Sequence, residues 1–311
     1  MRGQSHLISL VQLGTIDYES GLRLQQQLVT LRKEEKIGDV LLLLEHTPVI
    51  TLGRNAKAKN VIASPELLAR HGVELFECDR GGDVTFHGPG QIVGYPIFDL
   101  RCFARTNDLS SRAGSKALSS RAEENDSKNR SLESRDLVSP RKHLGVIEFV
   151  RRLEEVLMRT CADFSIATKR VPGLTGVWTD PTPAPPNSMS FRAEENDSQN
   201  RSLKARNLLF AGAATTDQPE SKLAAIGVHI SRFVTSHGFA LNVNTDLSFF
   251  DLIIPCGITS KPVTSMQQQL GRELDLSAVA QSISRNFGVV FQSQILWLET
   301  LDGLLKDAAV P

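Results

Sequence analysis

Residues 80–95 read RGGDVTFHGPGQIVGY, five glycines, a proline, a histidine and an arginine in sixteen positions. The stretch lies between a short apolar segment, Val73 to Phe76, and a strand-like one, Ile92 to Leu100. Glycines at this density remove Cβ atoms along a whole segment, which permits positive φ and close approach to the backbone. A segment that only turned a corner would need one or two. The composition predicts a ligand-cradling loop held between ordered elements.

Outward from this loop, residues 17–36 place Leu22, Leu24, Leu28 and Leu31 among charged residues before Gly38, an amphipathic helix with a glycine stop. Residues 40–45 and 49–52 read as strands around Thr47–Pro48, and 64–72 as a short helix opened by Ser64 and Pro65. Residues 143–164 have helical apolar spacing. Residues 175–178, 222–230 and 238–244 read as strands, the last two joined by a hairpin-like connection around 233–236. Residues 246–252 and 274–287 read as helices, with Asp275 an N-cap candidate. Long helices mixed with hairpin strands predict an α+β fold, mixed sheets flanked by helices.

Two polar segments interrupt the pattern. RAEENDSKNRSL at 121–132 returns at 192–203 as RAEENDSQNRSL. Their surroundings, about 103–140 and 181–219, hold few large apolar residues and cannot bury enough surface to offset the entropy of ordering. They read as disordered surface insertions in a single catalytic domain spanning 1–311. Two copies do not make a solenoid.

Lys+Arg and Asp+Glu are equal at 35 each, so no net field draws the chain to nucleic acid or a membrane. The N-terminal residues lack the pattern of a secretory signal, and the Val40–Leu44 run is far too short to span a bilayer. Cys78, Cys102, Cys161 and Cys256 form no CxxC and no metal-like spacing with histidines, which points to a reducing cytoplasm and no bound metal.

Cys256 stands between Pro255 and Gly257 after an apolar run, a position from which a thiol projects into a pocket. The amides that follow it would then face a developing oxyanion. Buried cysteines also serve as small hydrophobes. Lys222 opens KLAAIGVHI; it either snorkels at a strand edge or points at a thiol. A free thiol with a pKa of about 8.5 is only about 3% thiolate at pH 7, so a neighbouring ammonium changes its reactivity. His87 and His237 offer the alternative of a Cys–His pair, or are hydrogen-bonded structural residues. Arg80 either binds an anion bidentately or caps the loop.

Taken together, RGGDVTFHGPGQIVGYPIFDL, GVHISRFVTSHGFALNVNTDLSFFDLIIPCGI, the opening VQLGTIDYESGLRLQQQLV and LLLLEHTPVITLGR resemble the octanoyltransferases of lipoate biosynthesis, the lipoyl(octanoyl) transferase family. The resemblance covers nearly the whole chain outside the insertions and the extreme C-terminus. It implies the α+β module shared with biotin and lipoate protein ligases. It also implies transfer of an octanoyl group from acyl carrier protein to a lysine of lipoyl domains, those of 2-oxoacid dehydrogenase complexes and the glycine cleavage H protein. The implied route is a thioester on the enzyme, with no cofactor. Cys256 then resembles the nucleophile and Lys222 the cation that favours its thiolate. The implied acyl-binding segments are Arg80, Gly81, Gly82, Asp83, Val84, Thr85, Phe86 and His87; Ala225, Ile226 and Gly227; and Gly238, Phe239 and Ala240. Gly227, Gly238 and Ala240 are expected to be small so that the acyl chain can lie against the strands. Lys222 or His87 would accept the proton of the attacking amine. An ATP-dependent lipoate or biotin ligase is the nearest rival; it needs the glycine loop and the lysine but no nucleophilic cysteine. The second insertion ends just before Lys222, which makes the placement of that lysine the decisive expectation.

Overall fold

The computed structural model describes residues 6–103, 143–180, 220–258 and 260–306. Its axis is β2 (Asp39–His46), whose sequence DVLLLLEH is buried almost throughout. An unbroken apolar run without alternation is what a strand covered on both faces requires. β2 pairs in parallel with β1 (His6–Ile16) and antiparallel with β6 (Gln91–Ile97). β1 in turn pairs in parallel with β11 (Ser293–Leu298). Beyond β6 the sheet continues antiparallel through β10 (Val234–Asn242), β9 (Lys222–Ser231), β8 (Leu174–Thr179) and β7 (Thr168–Val171), giving the order β11-β1-β2-β6-β10-β9-β8-β7.

Helices cover both faces. α1 (Tyr18–Lys33) starts where Asp17 accepts the Ser20 N–H at 2.7 Å, satisfying one of the donors a helix start leaves unpaired. It sets Leu28 against Val40, Leu42, Leu44 and Ala240. On the other face, α3 (Val146–Asp163) and α4 (Leu276–Phe291, capped by Asp275) bring Phe149, Leu153, Phe287 and Phe291 onto Ile8, Leu10, Leu41 and Leu43. Each such fully buried side chain contributes about 1.5–3 kcal/mol, and truncating Phe287 to Ala would cost about 3–5 kcal/mol.

A second, three-stranded sheet, β4 (Glu74–Glu77)-β3 (Val49–Leu52)-β5 (Val84–His87), packs Ile50, Val84 and Phe86 against Phe250, Leu252 and Ile253. α2 (Pro65–Arg70), capped by Ser64, adds Leu68 to this cluster.

The α+β expectation holds, with three local differences. Val84–His87, read as part of a loop, is a strand paired antiparallel to β3. Residues 247–252 form 3-10 turns rather than an α-helix. The β9–β10 reversal falls at Arg232 and Phe233, both at positive φ, so it overlaps only the start of the expected connection, and residues 234–236 already belong to β10. The duplicated polar strings and nearly all of their surroundings lie outside the described residues. Among the described residues, no helix is long and apolar enough to cross a membrane.

Candidate active site

Cys256 is carried by the turn Pro255–Gly257 and adopts φ 55, ψ 16, followed by Gly257 at φ 67. A left-handed non-glycine residue costs about 1–2 kcal/mol, so its surroundings must hold it there. They do so through the Ile254 N–H on Asn60 O at 2.7 Å and a bridge between Val61 and Ile253. The side chain of Asp83 accepts from Asn60 Nδ2 at 2.6 Å and from the Lys57 N–H at 3.1 Å, tying the glycine loop to the same support. The amides that follow the cysteine are engaged within the turn, Gly257 N on Ile254 O and Ile258 N on Pro255 O, both at 3.0 Å. The expectation that they face an oxyanion is therefore not met.

Lys222 is the first residue of β9 and only 7% exposed. Its backbone is zipped to the far end of the cysteine loop, with Lys222 N–H on Pro262 O at 2.8 Å and Thr264 N–H on Lys222 O at 2.9 Å. That pairing brings two side chains 34 residues apart together: Lys222 Nζ donates to Cys256 Sγ at 3.1 Å.

Cys256 lines a cavity of about 50 Å³. The glycine loop and β5 contribute Arg80, Gly81, Gly82, Asp83, Thr85 and His87 to it. β9 supplies Ala225, Ile226 and Gly227, which lie in register with Ala240, Phe239 and Gly238 of β10. Lys222 borders a smaller cavity of about 10 Å³ that shares Cys256, Thr85, Ala225 and Ala240 with the first. Val84 and Phe86 do not line either cavity. Strand alternation turns them into the core of the small sheet and leaves Thr85 and His87 on the cavity side.

The reason for two of the small residues also differs from the expectation. A Cβ on Gly227 would sit 2.6 Å from Gly81 O, and one on Gly238 would sit 2.0 Å from Gly94 O. Close backbone approach within the chain itself already excludes larger residues there.

Arg80 caps its loop. Its guanidinium donates to Thr51 O at 2.7 Å, to Thr51 Oγ1 at 2.9 and 3.1 Å, and to Gly81 O at 3.1 Å. His87 donates from Nδ1 to Gln91 Oε1 at 2.8 Å, and its Nε2 faces Thr51 Oγ1 at 3.4 Å. Burial, with His46 and Arg80 nearby, pushes its pKa down to about 3, so it is neutral at pH 7. His237, at φ 54, donates to Asp79 Oδ1 at 2.7 Å, and burial lowers its pKa. Asp79 also takes His229. Both candidate histidines thus have partners of their own, and the hydrogen bond on Cys256 comes from Lys222.

Sequence reasoning missed Tyr18, Val93 and Tyr95, which complete the cavity from α1 and β6. Tyr95 ends the quoted glycine stretch and could have been found from strand alternation. Tyr18 carried no such signal, because only the packing of α1 on the sheet brings it near.

With this geometry in view, the chain matches the family model described as "Lipoyl protein ligase A/B catalytic domain" over residues 17–118 and 136–288. It is 49% identical to an octanoyltransferase of Koribacter versatilis over 96% of this chain and 90% of that protein. It is 45% identical to an octanoyltransferase of Acidobacterium capsulatum over 97% and 98%. Among solved structures it is similar to a bipartite lipoate protein ligase from Thermoplasma acidophilum, with a TM-score of 0.55 at 12% identity over 97% of this chain and 91% of that one. That likeness shows the fold. The relatives show the rest: the chain belongs to the octanoyltransferases of lipoate biosynthesis, acyltransferases built on the lipoyl protein ligase A/B catalytic domain.

Proposed function

We propose that the protein moves an octanoyl group from the phosphopantetheine thioester of acyl carrier protein to a lysine of lipoyl domains, through a thioester on Cys256. The observation that carries this reading is Lys222 Nζ at 3.1 Å from Cys256 Sγ beside a largely apolar cavity. An ammonium at that distance favours the thiolate, the reactive form of a cysteine. The thiolate attacks the acyl carbon, the carbon–sulfur bond to phosphopantetheine breaks, and the departing sulfur takes the Lys222 proton. Lys222 is then a neutral amine. The amine of the incoming lipoyl-domain lysine attacks the acyl-enzyme and passes one proton to Lys222, an amide forms, and Cys256 leaves as thiolate. The ion pair is regenerated. His87, with its pKa at about 3, is too weak a base for this step, which favours Lys222 as the acceptor.

One thioester is exchanged for another in the first half and an amide is formed in the second, so neither ATP nor a cofactor is required. Both protein partners meet the enzyme in the cytoplasm. An ATP-dependent ligase has no use for a nucleophilic sulfur. The test is intact-protein mass spectrometry after incubation with octanoyl-acyl carrier protein. The expected result is a hydroxylamine-labile adduct of octanoyl mass, lost in Cys256→Ser. An adduct that survives this substitution, or that needs ATP, would overturn the reading.

A further inference from the structure

The Lys222 ammonium is buried, and among the described residues no carboxylate pairs with it. A buried cation with no carboxylate partner relies on the Cys256 sulfur and on whatever else nearby favours its charge. Besides Cys256 Sγ, its neighbour is the indole of Trp178, whose ring centre lies 5.2 Å from Lys222 Nζ. The register shift between Val177 and Trp178 sets Trp178 opposite Lys222 in the β8–β9 pairing. Two residues earlier, Gly176 gives the lysine stem its room: a Cβ there would meet Lys222 Cε at 3.0 Å.

Trp178 is 1% exposed, and its Nε1–H finds no acceptor among the described residues. A buried tryptophan ordinarily has one, and lacking it costs free energy that a phenylalanine would not incur. The hydrogen-bonding end of the indole is therefore not what recommends it here. Its other distinguishing property is a large, electron-rich face, the strongest of the aromatic side chains for a cation. Lys261, from the cysteine loop, also lies near the ring, at 5.8 Å, but it has a carboxylate partner in Glu220, which it shares with Lys169.

We propose that Trp178 is a positioning residue for the transfer: its indole face holds the Lys222 ammonium against the Cys256 sulfur. The proposal rests on the Lys222–Cys256 reading above and adds the aromatic face that shares the ammonium with the sulfur. Trp178 does not touch the acyl group; it acts through the lysine.

The test uses the full chain carrying Trp297→Phe, which leaves Trp178 as its one tryptophan. Mono-, di- and trifluorotryptophan are then incorporated at Trp178. Fluorine drains the ring face while nearly preserving its shape. The readouts are the pH midpoint of Cys256 alkylation by iodoacetamide, followed by peptide mass spectrometry, and the melting temperature. The midpoint is expected to climb stepwise by about one pH unit in total, with melting nearly constant. Trp178→Leu is expected to slow acyl-enzyme formation roughly tenfold at pH 7, with Trp178→Phe in between. A flat fluorination series in protein that still forms the Cys256 adduct overturns the role of Trp178 alone. Absence of the adduct in the unsubstituted chain overturns the cysteine–lysine reading itself. If Trp178→Leu fails to fold, the near-isosteric series still decides.

Discussion

Two buried cations border the two cavities that share Cys256, and they use their hydrogen-bond donors in opposite ways. Arg80 directs its guanidinium inward, onto the carbonyl and hydroxyl of Thr51 and the carbonyl of Gly81. Lys222 directs its ammonium onto a sulfur and an aromatic face. Neither burial nor charge separates them, since their exposures are 8% and 7%. What separates them is whether the acceptors are permanent backbone and hydroxyl groups or an atom that can change its bonding. Arg80 is part of the scaffold, and Lys222 is left available for chemistry.

The sharpest break of this contrast is Lys222→Met, expected to slow acyl-enzyme formation by about 10³-fold by removing both the thiolate's partner and the proton carrier. Single-turnover transfer from octanoyl-acyl carrier protein measures it, and the melting temperature should stay close to that of the unsubstituted chain. Arg80→Met is expected to do the reverse. It strands Thr51 O, Thr51 Oγ1 and Gly81 O, at a cost of about 3 kcal/mol in urea unfolding, while the pH profile of Cys256 alkylation keeps its midpoint. A Lys222 variant that fails in stability, or an Arg80 variant that fails only in chemistry, would erase the distinction.

A smaller effect concerns acid. Burial holds the folded-state pKa of His87 at about 3 and that of His46 at about 4, both below the unfolded value of 6.5. Below pH 6.5 the unfolded chain therefore binds protons that the folded chain refuses. Stability is fully present above that pH and declines as pH falls towards 3, by up to about 1.4 kcal/mol per pH unit for each histidine. Urea titrations from pH 7 to 4 should show His87→Gln with a slope shallower by about one proton. An unchanged slope would place the acid sensitivity elsewhere. The smallest effect belongs to Asp79→Asn. The Asp79 carboxylate is half exposed, so weakening its ties to His229 and His237 should cost below about 1 kcal/mol.

Much of this was legible in the chain before folding. The amphipathic run after Asp17, the four consecutive leucines of β2 and the apolar strand opened by Lys222 each declare themselves locally, because periodicity and capping are properties of neighbouring residues. β1 and β11 did not, since they complete the sheet through parallel pairing between the two ends of the chain. Val84–His87 was misread because its glycine neighbours masked a strand whose partner, β3, lies some thirty residues back. The cysteine and lysine were named from motif and resemblance. Their separation, the role of Arg80 and the presence of Trp178 behind the ammonium depend on side-chain direction, which only tertiary packing settles. Gly227 and Gly238 belong to the same class: their smallness was visible, but the carbonyl that enforces it was not.

The ladder from Lys222 to Pro262 and Thr264 has a consequence for how such chains change over time. Because nucleophile and amine are fastened to one another through a shared segment of main chain, their alignment is indifferent to the length of the polypeptide leading into β9. A change of length ahead of that strand would leave the reacting pair fastened, whereas the same change between Lys222 and Thr264 would part it.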